Sequence, residues 1–204
     1  MKVVAIAVAG LLAAGVAVAP PAAAQGHRHE AMEAAPPRGD SVYALSASLV
    51  DQRGRAVGLD LFRGHPVLIS MFYASCPDAC PLLIADLQRM ERELPPRIKA
   101  DLRIVLVSLD PERDTPDALQ ALARARRVDE SRWRLLRAPE DTVRDIAALL
   151  GVKYRRLPDG NFNHSSVITL LDPDGAIVVR DDAMGGPHEA LLRGLRGGRS
   201  TSGH

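Results

Sequence analysis

The chain has 204 residues, 26 Lys and Arg against 25 Asp and Glu, 47% hydrophobic residues and two cysteines. That length holds one ordinary domain with terminal extras and suffices to bury a core, and the apolar fraction excludes disorder throughout. With 3% aromatic residues and a net charge of +1, neither a base-stacking platform nor a basic surface for nucleic acid is expected.

Residues 1–24 read as a secretory leader. Lys2 supplies the positive start, Val3 to Ala19 is apolar, Pro20-Pro21 stops a helix, and Ala22-Ala23-Ala24 offers small residues for cleavage before Gln25. The alternative is an uncleaved membrane anchor, which wants about 20 residues of stronger hydrophobicity. Either reading places the domain outside the cytoplasm, in the periplasm, soluble after cleavage or tethered by the uncleaved segment. Residues 25–41 (QGHRHEAMEAAPPRGDS) read as a flexible linker. Its His27, His29 and Met32 can catch a metal loosely, but a solvated tail is the favoured reading.

The domain is expected over 42–196, with a frayed tail at 197–204. Tyr43–Val50 and Arg55–Gly58 predict a hairpin around Gln52-Arg53-Gly54. Pro66–Tyr73 and Arg103–Leu109 are continuous apolar runs, the pattern of strands buried on both faces. Between them, Leu82, Leu83, Leu87 and Met90 fall at helical spacing in Pro81–Leu94. Thr115-Pro116 opens a helix running to about Arg127. Arg134–Arg137 reads as a short strand, and Asp141–Leu150 as a helix stopped by Gly151. Val167–Leu171 and Ala176–Arg180 flank the turn Asp172-Pro173-Asp174-Gly175, and Pro187–Arg196 is a closing helix. The alternation predicts an α/β sandwich, a mixed central sheet flanked by helices with an N-terminal hairpin.

Cys76 and Cys80 lie four apart in Cys76-Pro77-Asp78-Ala79-Cys80-Pro81, between a buried strand and a helix, where open α/β sheets place ligands. In an oxidising compartment a cysteine pair is usually a structural disulfide. A bridge here closes so small a loop that it removes little unfolded-chain entropy, so chemistry is the better reason for the pair. Each cysteine precedes a proline, which predicts an extended or turning loop for both. The following helix N-terminus favours the thiolate, and Asp78 opposes it. Two such sulfurs can form a disulfide, bind a soft metal, or do both. A third ligand must come from elsewhere. His164, in the polar loop Asn161–Ser166, is the best placed, while His65 and His188 have similar claims on composition alone.

Three segments, FYASCPDACP (72–81), VSLDPERDTPDAL (107–119) and NHSSVITLLDPDG (163–175), resemble the Sco/SenC family over residues 43–196. These are copper proteins of thioredoxin-like fold that serve assembly of cytochrome c oxidase. The resemblance implies that Cys76, Cys80 and His164 bind copper, a set of two sulfurs and one nitrogen that suits Cu(I) and tolerates Cu(II). Asp110, Glu112 and Asp114 match the family's acidic segment, and are read as a helix start with Asp114 or Thr115 as cap. The chain departs from the family pattern at Ala74-Ser75 and Ile168-Thr169.

The expected function is a periplasmic copper metallochaperone, with a thiol–disulfide reductase activity left open beside it, delivering copper to a subunit of a copper-containing oxidase for its Cu-A centre. Another periplasmic copper chaperone or a thioredoxin-like reductant is a further expected partner, and monomer is the default state. The alternative is a thiol–disulfide oxidoreductase that keeps target cysteines reduced for metallation, with Cys76 and Cys80 as its redox pair. A thiol peroxidase ranks below both, because the position three before Cys76 that would carry an activating Thr is Tyr73.

Overall fold

The computed structural model describes residues 41–76 and 79–197. The expected leader, the linker through residue 40, His27, His29, Met32, Pro77, Asp78 and the tail from 198 lie outside the described residues. Strands β1 (Leu49–Asp51) and β2 (Ala56–Val57) form the N-terminal hairpin. Then come β3 (Val67–Phe72), α1 (Ala79–Glu93), α2 (Pro96–Asp101), β4 (Arg103–Ser108), α3 (Pro116–Ala125), β5 (Trp133–Arg137) and α4 (Glu140–Leu150). The chain finishes with β6 (Tyr154–Arg156), β7 (Phe162–His164), β8 (Ile168–Leu171), β9 (Ile177–Asp181) and α5 (Glu189–Arg196).

Seven strands make one mixed sheet in the order β2-β1-β5-β4-β3-β8-β9. The pairs β3–β4 and β4–β5 are parallel, while β1 and β8 join antiparallel. Every residue of β3 is buried, as are all but Arg103 in β4. Helices cover the sheet, as a strand with no polar face requires. Trp133, at the start of β5, is fully buried and donates its indole N–H to Glu91 Oε2 on α1 at 3.0 Å. The expected thioredoxin-like α/β sandwich is the architecture found.

Local chemistry sets the ends. Thr115 caps α3, its hydroxyl accepting from the Ala118 N–H at 3.3 Å, with Pro116 at the first position. Gly151 closes α4 in the left-handed region, at φ 74°. In the β8–β9 turn, Asp172 Oδ1 accepts from the Asp174 and Ala176 N–H groups at 2.9 Å each. Gly175, at φ 85°, sits where a Cβ would fall 2.4 Å from the Tyr43 ring.

Three expectations are corrected. Tyr43–Val50 is not one strand: Ser41 caps a 3-10 turn at Val42–Ala44, its hydroxyl accepting from the Tyr43 N–H, and the strand begins only at Leu49. Helix α2 was not anticipated, because none of its residues is buried and it carries no apolar stripe. Nor is 161–166 simply a loop, since β6 and β7 pair as a separate two-stranded sheet.

Candidate metal centre

The apolar run of β3 ends at Phe72 and delivers Tyr73, Ala74, Ser75 and Cys76 to the C-terminal edge of the sheet. The Cys76 N–H donates to the Tyr73 carbonyl at 3.2 Å, which tightens this turn. Helix α1 begins at Ala79, so Cys80 belongs to its first turn and is not in the loop expected for both cysteines. Pro81 does not prevent this, because the first four N–H groups of a helix have no partner within it, and a proline there sacrifices no bond. The Cys80 N–H, one of those orphan donors, points at Cys76 Sγ at 3.3 Å. The Tyr73 N–H in turn points at Cys80 Sγ at 3.5 Å.

His164 arrives on the last residue of β7. The hairpin pairs Tyr154 with His164 and Arg156 with Phe162, and the Ser165 N–H to Lys153 carbonyl bond of 2.8 Å extends it. Its turn contains Asp159-Gly160, with Gly160 at φ 81°. That dipeptide between short runs is a hairpin signal the sequence did contain. The result brings Cys76, Cys80 and His164 together: one ligand atom from each lies within 4.8 Å of the others. Among the described residues no other three of His, Cys, Asp and Glu meet in this way.

The sulfurs are buried and the imidazole is half-buried. Burial pushes the Cys80 thiol well above its ordinary value, and the neighbouring Cys76 and Asp114 add to that. Burial holds His164 below its ordinary value, so its ring is neutral at neutral pH and has a lone pair to give. Its Nδ1 lies 3.2 Å from the Ser165 carbonyl, to which an Nδ1–H donates, leaving Nε2 as the donor atom toward a metal.

Two supports around the centre escaped the sequence reading. Tyr73, 3% exposed, stands edge-on to His164 with ring centroids 5.8 Å apart and tilts against Phe162 at 5.3 Å. Burial raises the pKa of its hydroxyl, and the neighbouring Cys76 and Cys80 add to that. Of the two cap candidates Thr115 does the capping, as the reading allowed, and Asp114 is fully buried behind the sulfur loop. Asp114 Oδ2 accepts from the Ala74 N–H at 2.9 Å and the Ser108 hydroxyl at 2.5 Å. Asp110 and Glu112 pair with Arg156 of the hairpin at 3.4 and 3.0 Å. Arg113 joins Asp110 to the Gly160 carbonyl in the hairpin turn.

The other two histidines among the described residues stay apart from the sulfurs. His65 lies at the opposite end of β3, its Nδ1 2.7 Å from Asp101 and its Nε2 3.1 Å from Arg103. His188 is buried between Asp181 and Asp86, at 3.1 and 3.4 Å. Neither belongs to the group.

Two soft sulfurs and an imidazole, with no carboxylate among them, form a donor set for a soft or borderline ion such as copper or zinc. The same sulfurs are close enough to contemplate disulfide chemistry. A family model described as SCO1/SenC matches residues 37–195. A SCO2-like protein of Rickettsia prowazekii is 30% identical over 133 residues, covering 62% of this chain and 63% of the relative. The mitochondrial SCO2 homolog of Homo sapiens is 35% identical over 140 residues, covering 62% of this chain and 49% of that protein. The match thus spans less than two thirds of either relative's length. Among solved structures, Bradyrhizobium japonicum ScoI with copper bound is similar at a TM-score of 0.62 and 27% identity, covering 74% of this chain and 95% of that one.

Proposed function

Because the chain belongs to the SCO1/SenC family, we propose that it is a periplasmic copper metallochaperone. It takes copper as cargo on Cys76, Cys80 and His164 and delivers it to a copper-containing oxidase subunit for the Cu-A centre of cytochrome c oxidase. The observation that carries this reading is the meeting of two sulfurs and one imidazole from separate elements within 4.8 Å. A chaperone must release what it binds, and three donors leave a coordination position through which an acceptor's ligand can enter.

Loading Cu(I) deprotonates both thiols and forms two sulfur–copper bonds, while His164 adds its nitrogen lone pair. The buried Cys80 thiol, a poor thiolate by itself, gains in the metal a positive charge that repays its desolvation. On transfer, an acceptor ligand bonds to copper at the open position and the His164 bond breaks. Each sulfur then returns to the thiol form as the acceptor's ligands replace it. His164, the half-buried member of a set whose sulfurs are buried, lies on the side from which the acceptor approaches.

The nearness of the two sulfurs supports a second reading, a thiol–disulfide reductase acting on target cysteines before metallation, itself recharged by a thioredoxin-like reductant. One thiolate attacks a target disulfide and releases the first target thiolate. The other attacks the mixed disulfide, releases the second and leaves Cys76 bonded to Cys80, two electrons having passed to the target. The raised Cys80 thiol weighs against it, because exchange needs a thiolate.

His164 separates the readings. Competition between the protein and a Cu(I) chelator under anaerobic conditions should show His164→Ala weakened by more than about tenfold, since even residues that merely orient a ligand are worth that much. The dithiol of the variant should remain reducible. Unchanged copper affinity in His164→Ala would remove the ligand assignment and leave the reductase as the better reading.

A further inference from the structure

The three donors are not held by one rigid element. Cys76 and Cys80 belong to the β3–α1 junction of the seven-stranded sheet, whereas His164 rides on β7 of a separate two-stranded sheet. The two sulfurs are tied to each other locally, by the Cys80 N–H directed at Cys76 Sγ and the Tyr73 N–H at Cys80 Sγ, but no ladder bond joins β7 to the large sheet. The chain itself continues from His164 toward β8, just before which the Ser70 hydroxyl of β3 donates to the Val167 carbonyl at 2.7 Å, and the rest of the link is side chain. Arg156 and Arg113 attach the middle and the turn of the hairpin to the 110–113 segment, away from His164 and with both guanidinium groups about two-fifths exposed. Ion pairs of that exposure are individually weak. The Ser165 carbonyl that meets Nδ1 is on the next residue of the same strand end, so it cannot aim the ring at the sulfurs.

Tyr73 is the residue that meets all three donors. Its carbonyl accepts from the Cys76 N–H, its N–H donates to Cys80 Sγ, and its ring stands at 76° to the His164 ring and tilts against that of Phe162, two residues earlier on β7. At 3% exposed it has no room to swing aside. We propose that Tyr73 is the positioning residue of the metal centre, its ring setting where the His164 imidazole stands relative to the two sulfurs. This rests on the copper reading of the site and adds to it: without the ring, the centre becomes a two-sulfur site with an unplaced histidine. Edge-to-face pairs prefer this arrangement over a sandwich, so the ring specifies an orientation as well as a volume.

The test uses the full-length chain, reduced and loaded with Cu(I) without oxygen, and reads imidazole scattering in the copper X-ray absorption spectrum. Wild type and Tyr73→Phe, which keeps both ring contacts, should show two sulfurs and one imidazole. Tyr73→Leu should keep the sulfurs and lose the imidazole, with Cu(I) affinity falling about tenfold to a hundredfold, the range for residues that orient a ligand. Adding His164→Ala to Tyr73→Leu should then cost little more, because the two changes remove one contribution. A general loosening of the fold would instead weaken the sulfur shell and leave the two losses additive. Should Tyr73→Leu not fold, nuclear Overhauser contacts between the Tyr73 and His164 ring protons in the metal-free wild type decide the matter, and their absence overturns the proposal. A wild-type chain that takes up no Cu(I) overturns the copper reading and Tyr73's role toward the metal together. A wild-type centre with imidazole, matched by an intact imidazole in Tyr73→Leu, overturns the role of Tyr73 alone.

Discussion

Asp114 accepts two hydrogen bonds on a single oxygen, Oδ2, from Ala74 of the sulfur loop and from Ser108 of β4. An asparagine oxygen could accept the same pair, so the carboxylate's charge is separable from its geometry. Burial raises the Asp114 pKa above the usual carboxylate value, and its hydrogen bonds only partly offset that. The folded state therefore binds more protons than the unfolded one between those two values, and Asp114 removes stability as pH rises through that window. Urea unfolding across the window should show this dependence weakened in Asp114→Asn, with neutral-pH stability equal or higher. Asp114→Ala leaves the buried Ser108 hydroxyl and the half-buried Ala74 N–H without their acceptor and should cost about 1–3 kcal/mol. The sequence showed Cys76, Cys80 and His164 as chemistry because such side chains are scarce and their segments resemble a known family. It could not show Asp114 in this way, because Asp-Thr-Pro before a helix reads equally well as a cap, and the cap is indeed there on Thr115. Tyr73 was hidden for another reason: its contacts exist only once β7 has folded against the end of β3.

At the scale of elements, legibility followed burial. The runs of β3 and β4 are apolar at nearly every position and their strands fall within a residue or two of the reading. α2 and the β6–β7 hairpin bury little and so leave no period in the sequence. The assignment of Cys80 to a loop failed because the restriction on a residue before proline is a steric bias, which Cys80 overcomes in a first turn where Pro81 has no bond to lose. The start of α3 depends on one side chain. Thr115→Ala should lower unfolding free energy by about 1 kcal/mol in urea titration, the usual value of such a cap. Thr115→Ser should recover most of it, since a serine hydroxyl accepts from the same N–H.

For the whole molecule, the proposed metal ligands become a question of linkage. The unfolded chain keeps its two cysteines close but has no means of bringing His164 to them, so Cu(I), bound as proposed, favours the folded state. At free Cu(I) one hundred times the dissociation constant, the gain approaches about 2.7 kcal/mol, less whatever the unfolded cysteines retain. Thermal unfolding in a chelator-buffered Cu(I) series should show a midpoint rising with copper, and a smaller rise for His164→Ala at equal free copper. Loading also displaces the Cys80 proton, so affinity should climb with pH, by about tenfold per unit for each thiol proton released. The division into a seven-stranded and a two-stranded sheet has an evolutionary consequence as well. The two proposed sulfur ligands are built into the core, whereas the proposed nitrogen ligand ends a short hairpin that rests on the core through Phe162 and Tyr154 and exposes Arg155, Arg156 and Asn163. Of the proposed donors, the one on the hairpin would be the more readily exchanged. A thioether in place of the imidazole, or a longer hairpin that withdraws it, would retune metal preference while the scaffold beneath is inherited intact.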